Sequence, residues 1–350
     1  MRQELKTHVE QIHSDFTIVD AHFDMLGDVL KKRRMGYTKV IERDFIPDFI
    51  SGGVNIVVAS LFVENQYVPE MAMRNALDQI SALYEEIEES PDKIIICKTY
   101  QDILTAIKNK QLGVILSFEG AEPIGNDLKL LRIFYELGVR ILGLVWSRRN
   151  YAGDGCHFQQ VEEGQKGGLT DFGVKLVREA EKLGMFIDVS HLNDEGFWDV
   201  MKIAKKPVIA SHSNSRSIVN HPRNLTDEQI KAVAKHGGVI GMNAYSDFVS
   251  EETLTKNAEG LVKHVLHIVD LVGIKHIGLG FDFCDLFTSS NPNFLPDKKE
   301  KKSFDVIKGH KNIKKFTERL IIHGFKDEEI KLILGGNFLE IYKQSLTKIN

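Results

Sequence analysis

Six residues able to bind or activate a metal ion, His22, Asp24, Glu119, His191, His212 and Asp282, stand at the C-terminal ends of short apolar runs. His22 and Asp24 are two apart, and in an extended strand such residues share a face. An imidazole nitrogen and a carboxylate oxygen then reach one cation of the zinc type. Glu119 precedes Gly120, which permits a sharp turn, and its two oxygens can bridge two cations. His191 and His212 each follow a serine. The set amounts to three imidazoles and two carboxylates, enough for two Zn2+ ions sharing Glu119, with positions left for water. Ions about 3.5–4 Å apart can hold a bridging hydroxide and polarise a carbonyl. Asp282 is the candidate to take the proton of that water and pass it to a leaving nitrogen. Arg223, in His221-Pro222-Arg223-Asn224-Leu225, has the fork geometry that suits a substrate carboxylate. Asp20 and Asp188 lie inside their runs and can orient ligands from behind. Each residue alone has an ordinary alternative, such as a core histidine, a turn aspartate or a surface arginine. The shared polarity of all the runs is what points to one site.

Strand-like runs recur at 17–21, 54–62, 113–118, 139–145, 185–189, 207–211, 238–243 and 276–281, with an extra run at 93–97 read as an accessory strand. Helical patterns lie between most of them, at 71–89, 127–137, 171–183, 194–204, 226–236 and 260–272. Alternation of this kind predicts parallel strands with crossover helices. The fold class expected is α/β, a (β/α)8 TIM-type barrel whose site gathers at the C-terminal strand ends. Residues 313–323 and 327–345 read as closing helices, and 284–314 as a long loop. No repeat or linker divides the chain, so residues 1–350 are expected to form one hydrolase barrel domain.

A net charge of -4 offers no basic footprint for nucleic acid or an anionic membrane. The basic run Lys31-Lys32-Arg33-Arg34 reads as a solvated loop or helix end. No apolar stretch approaches a membrane span, and the first 15 residues are polar, without the apolar core of a signal peptide. Cys97, Cys156 and Cys284 are odd in number and widely spaced, which fits a reducing compartment. A cytoplasmic protein is expected.

Eight segments resemble the renal (membrane) dipeptidase-type zinc metallopeptidases. They are Asp20-Ala21-His22-Phe23-Asp24, Ser117-Phe118-Glu119-Gly120, Gly168-Leu169-Thr170-Asp171-Phe172-Gly173, Ile187-Asp188-Val189-Ser190-His191, Ser211-His212-Ser213-Asn214, Arg223-Asn224-Leu225, Gly280-Phe281-Asp282-Phe283 and Gly335-Gly336-Asn337-Phe338. They stand in the family order and span nearly the whole chain. The resemblance implies a barrel with one zinc held by His22, Asp24 and Glu119, and the other by Glu119, His191 and His212. It also implies proton transfer by Asp282, carboxylate binding by Arg223, hydrolysis of dipeptides including L,D-dipeptides, and assembly as a homodimer. One position departs from the pattern. In Leu144-Val145-Trp146-Ser147-Arg148-Arg149-Asn150, Trp146 falls where better-known members carry a substrate-contacting histidine. Trp donates one hydrogen bond but cannot become a cation, so Trp146 is expected at the substrate, with Asn150 or Arg148 compensating. The polar ends of the sequence lead to the expectation of a microbial member without the leader and anchor of the animal enzymes. The competing readings are a related metal-dependent amidohydrolase acting on another small amide or ester, and a metal-stabilised binding protein without turnover.

Overall fold

A computed structural model describes residues 2–158, 161–162, 164–286 and 303–346. The apolar runs become parallel strands β1 (Ile18–Phe23), β2 (Val54–Phe62), β3 (Ile94–Ile96), β4 (Leu112–Glu119), β5 (Val139–Gly143), β6 (Phe186–Asp188), β7 (Val208–Ile209), β8 (Ile240–Met242) and β9 (Ile277–Leu279). Their order is β7-β6-β5-β4-β2-β1-β9-β8, and a bridge between Ala210 and Ile240 brings β7 to β8. Eight strands therefore form a nearly closed TIM-type barrel, as expected. The accessory strand β3 pairs only with the first half of β4, from Leu112 to Val114.

Alternation along the strands sorts side chains to two layers. Val19, Ala21, Ile56, Val58, Ile115, Ile141, Phe186 and Ile209 form one buried cluster inside the barrel. Phe338, Ile341 and Tyr342 of the last helix, α14 (Asn337–Ser345), join that cluster and plug the end away from the site. Asn337 fixes the plug by donating to the carbonyls of Ile274 and Ile277. The closing helix expected at 327–345 is interrupted by a π-helical turn at Leu332–Gly336. The other strand faces pack outward on the surrounding helices.

Helix ends follow the local signals. Thr226 caps the helix at Asp227–Lys235 in a capping box with Gln229, and Gly184 ends the helix at Asp171–Leu183 in a left-handed conformation. The N-terminal segment, read only as polar, forms helix α1 (Arg2–Asp15), which buries Val9, Ile12 and His13. The basic run is the last turn of α2 (Met25–Arg34), and it is not simply solvated. Arg33 is gripped by Glu85, Glu86 and Glu89, while Arg34 pairs with Asp78. Most of the expected loop at 284–314 lies outside the described residues. In its described part, Asp305 pairs with Tyr245 and His310 packs under β1.

His264, fully buried on the helix Ala258–Val272, accepts from the Ser215 amide through Nδ1 (3.1 Å) and bonds the Val249 carbonyl through Nε2 (3.0 Å). This pattern requires the neutral ring, and burial pushes its pKa down to about 4 from 6.5. Between those values the unfolded chain binds a proton that the folded chain does not, so stability is complete above pH 6.5 and falls toward pH 4. The loss expected from this one group is about 3 kcal/mol. Urea midpoints of the metal-free protein at pH 7 and 4.5 check it, because His264→Gln should lose much less than wild type over that interval. Equal losses would remove His264 from the account.

Candidate metal centre

The expected ligands converge at the C-terminal mouth of the barrel. His22 Nε2 lies 3.6 Å from Asp24 Oδ1, 3.6 Å from Glu119 Oε1 and 3.9 Å from Asp282 Oδ1. His191 Nε2 is 2.9 Å from Glu119 Oε1 and 2.9 Å from His212 Nε2, and His212 Nε2 is 3.8 Å from the same carboxylate oxygen. Glu119 is thus the common neighbour of all three imidazoles.

The convergence is achieved differently from the simple alternation expected for His22 and Asp24. The β1 register shifts between Asp20 and Phe23, and Asp24 is no longer in the strand but is the N-cap residue of α2. Such an irregularity places an extra residue in one strand and re-aims the side chains that follow. Two further ends are bent by backbone conformation. His191 and Asp282 have φ of 70° and 54°, in the left-handed region that non-glycine residues seldom occupy. Gly120 follows Glu119 with φ 97°, where a Cβ would collide with the Glu122 carboxylate.

Residues behind the ligands fix their protons. Ser211 donates to Asp188 Oδ2, so its oxygen accepts from His212 Nδ1–H at 2.7 Å. That tautomer turns the Nε2 lone pair of His212 toward Glu119. Ser147 Oγ lies 2.8 Å from His191 Nδ1, where its hydroxyl can accept in the same way. Ser60 donates to Asp24. Asp20 accepts from the Phe281 amide (3.0 Å) through one oxygen, while its other oxygen lies 2.7 Å from His310 Nε2. Asn243 Nδ2 donates to Asp282 Oδ2 at 3.0 Å. Of these, Ser60, Ser147, Ser211, Asn243 and His310 were not singled out in the sequence. Ser60, Ser211 and Asn243 carry the available signal, a polar side chain near the end of an apolar run.

Electrostatics divide the cluster in two. Burial opposes charge on His22, but Glu119 and Asp24 overcome it and hold the imidazole well above its ordinary pKa. Burial drives His191 and His212 well below theirs, helped by the positive Arg223 and His22. These two rings stay neutral, as metal ligands must. Burial, and then the Asp24 charge, raises Glu119, and burial pushes Asp282 up to about 6. His22 Nε2 is buried with no hydrogen-bond partner among the described residues. Opposed lone pairs, an orphaned nitrogen and crowded carboxylates are a donor set that divalent cations satisfy. His22, Glu119 and His212 form one group able to hold an ion, and His22, Asp24 and Asp282 another.

Arg223 is 2% exposed and donates to the His212 carbonyl at 3.1 Å, yet its Nε has no partner among the described residues. Its guanidinium stands 5.6 Å from the Phe248 ring. Trp146 joins an aromatic wall beside His191, between Phe62 (5.1 Å) and Phe158 (5.4 Å). Neither expected compensator stands free there. Arg148 is tied to Glu122, Asn65 and the Val63 carbonyl. Asn150 donates to the Leu144 carbonyl and accepts from the Ala152 and Gly153 amides, so its amide shapes the loop.

Comparison with known proteins places the chain among related sequences and folds. The membrane dipeptidase family (peptidase family M19) matches residues 6–348. A Claviceps purpurea protein named dipeptidase tcpJ is 25% identical over 306 residues, 84% of this chain and 67% of its own. A Klebsiella pneumoniae protein, described only as uncharacterised in the pqqA 5′ region, is 33% identical over 59% of this chain and 77% of its own. Among solved structures, dipeptidase AC of family M19 has a TM-score of 0.82 at 25% identity, covering 95% of this chain and 99% of that one. A Rhodobacter sphaeroides metallopeptidase, solved with a phosphinate mimic of L-Ala-D-Ala, has a TM-score of 0.82 at 24% identity, covering 94% and 99%.

Proposed function

The chain belongs to the membrane dipeptidase family, and from that premise we propose that it hydrolyses the peptide bond of small dipeptides with two zinc ions. Zinc dependence is characteristic of the family. His22, Asp24 and Glu119 would hold one ion, and Glu119, His191 and His212 the other. Bound zinc supplies Lewis-acid polarisation of the scissile carbonyl and a nucleophilic water at neutral pH.

The observation that carries this reading is the pairing of that cluster with a buried guanidinium whose Nε has no hydrogen-bond partner among the described residues. A desolvated arginine without an acidic partner is costly, and a substrate carboxylate satisfies it by a charge-assisted bidentate bond. Arg223 therefore anchors the C-terminal carboxylate, and a dipeptide's short span sets its single peptide bond over the cluster. Asp282, steadied by Asn243, takes the proton of the attacking water and delivers it to the leaving nitrogen. Tolerance of a C-terminal D-residue is part of the proposal, supported by the L-Ala-D-Ala mimic bound to the Rhodobacter sphaeroides protein.

Among the described residues no helix is long and apolar enough to cross a membrane. Its three free cysteines, two of them buried, support work in a reducing compartment such as the cytoplasm.

Activity on a panel of L,L- and L,D-dipeptides is expected to vanish with a chelator and return with zinc. A folded protein loaded with zinc and inactive on every dipeptide would sink the substrate assignment.

A further inference from the structure

The segments after β5 and β8 meet beside the metal centre through aromatic rings. Trp146 and Phe158 follow β5, and Phe248 belongs to the short helix Ser246–Val249 that follows β8. Phe158 and Phe248 are nearly parallel, with centroids 6.1 Å apart, and Phe158 meets Trp146 edge-on at 5.4 Å. Trp146 (6.0 Å) and Phe158 (6.2 Å) also stand against the ring of His191. The wall therefore runs from Arg223, whose guanidinium is 5.6 Å from Phe248, to an imidazole of the metal centre. Phe248 is buried, whereas Trp146 and Phe158 are only part-buried, so these two keep ring surface accessible there.

Trp146 is held in place. The Arg148 guanidinium lies 5.0 Å from the indole and is itself fixed by Glu122, Asn65 and the Val63 carbonyl, while Phe62 packs on the indole at 5.1 Å. An apolar surface ordered in advance costs little further ordering when a ligand covers it. The strands β5, β6, β7 and β8 are consecutive round the barrel, and Arg223 follows β7. A dipeptide with its carboxylate on Arg223 and its peptide bond over Glu119 has only its C-terminal residue between the two. The side chain of that residue is the part that reaches the wall.

We propose that Trp146 and Phe158 form a platform for the side chain of the substrate's C-terminal residue and select large apolar side chains there. The inference rests on the dipeptidase reading. A leucine or phenylalanine side chain leaves water to cover the rings, whereas the methyl group of alanine reaches little of them. Apolar discrimination in a hydrophobic pocket starts at about tenfold per methylene. The Cα of that residue is tethered on both sides, so one of its two configurations turns the side chain to the wall and the other turns it away.

The test uses the full-length zinc-loaded protein and the dipeptides Ala-Ala, Ala-Leu, Ala-Phe and Phe-Ala. Each is made with an L- and with a D-residue at the C-terminus, and ratios are taken within the configuration cleaved faster. Wild type is expected to favour Ala-Leu and Ala-Phe over Ala-Ala by at least about tenfold in kcat/KM. In Trp146→Ala the Ala-Phe to Ala-Ala ratio should fall about tenfold while the Phe-Ala to Ala-Ala ratio stays within about twofold, so a general loss of activity cannot imitate the result. Phe158→Ala should act in the same direction. A second readout needs no turnover. The chain has two tryptophans, and Trp198→Phe, at a position 45% exposed, leaves Trp146 as its one indole. A saturating phosphinate mimic of Ala-Phe should then shift the emission to shorter wavelength, and a mimic of Ala-Ala much less. Equal rates on the four peptides, a preference that survives both alanine variants, a Phe-Ala ratio that falls with the other, or an emission unmoved by the Ala-Phe mimic would overturn the platform and leave the dipeptidase reading standing. Hydrolysis of none of the four would overturn both.

Discussion

Glu119→Gln is expected to lower kcat/KM by about a thousandfold or more and to reduce bound zinc from two ions per chain to one or fewer. Glu119 is the neighbour common to His22, His191 and His212, so in the proposed two-zinc site no other residue would replace its oxygens. The amide has nearly the same shape but only one oxygen and no charge. Folding should not suffer. Burial and the Asp24 charge raise the Glu119 pKa well above its ordinary value, which means that its ionised form is a cost to the folded, metal-free protein at neutral pH. The Gln variant, stripped of metal, is therefore expected to unfold at the same urea concentration as wild type or a higher one. Metal analysis, kinetics and unfolding of the chelated protein check the three parts. Two zinc ions retained with near-normal turnover would remove Glu119 from the centre of the site.

Asp282→Asn has the second largest effect expected, a fall in kcat of about 10²–10⁴-fold, the usual contribution of a positioned proton carrier. Zinc content should stay within error of wild type, because His22, Asp24, Glu119, His191 and His212 remain. Asn243 can still donate to the new side-chain oxygen. The pH profile carries the sharper signal. Burial pushes Asp282 up to about 6, and its carboxylate form is the one that accepts a proton. In wild type, kcat/KM is then expected to fall tenfold per unit as pH drops below that value, with bound cations moving the limb lower and not higher. In Asp282→Asn this limb should flatten. A binding protein without turnover would be indifferent to the change, and a variant losing zinc together with activity would make Asp282 a ligand.

Several features were legible because they are properties of one segment at a time. Glu119, His212 and Asp282 follow apolar runs that can only be buried strands, and a parallel barrel places the ends of such strands together. The supporting serines were harder to see. Ser147 and Ser211 matter only because a particular imidazole nitrogen lies within 2.8 Å, a relation between side chains that residue type does not carry. Asn150 and Arg148 stand next to the expected substrate wall in sequence, yet backbone carbonyls and Glu122 claim them.

The amino-acid order by itself determined the alternation of strand and helix, the polarity of the barrel and the set of candidate metal-binding side chains, since periodicity and residue chemistry are local and additive along the chain. Tertiary structure decided how those side chains meet. His22 and Asp24 share a site because β1 slips register and α2 begins at Asp24. His191 and Asp282 enter it through left-handed backbone that isolated strands would not adopt. Such relations depend on packing between segments far apart in sequence, where small irregularities are held only because the surrounding structure leaves no alternative.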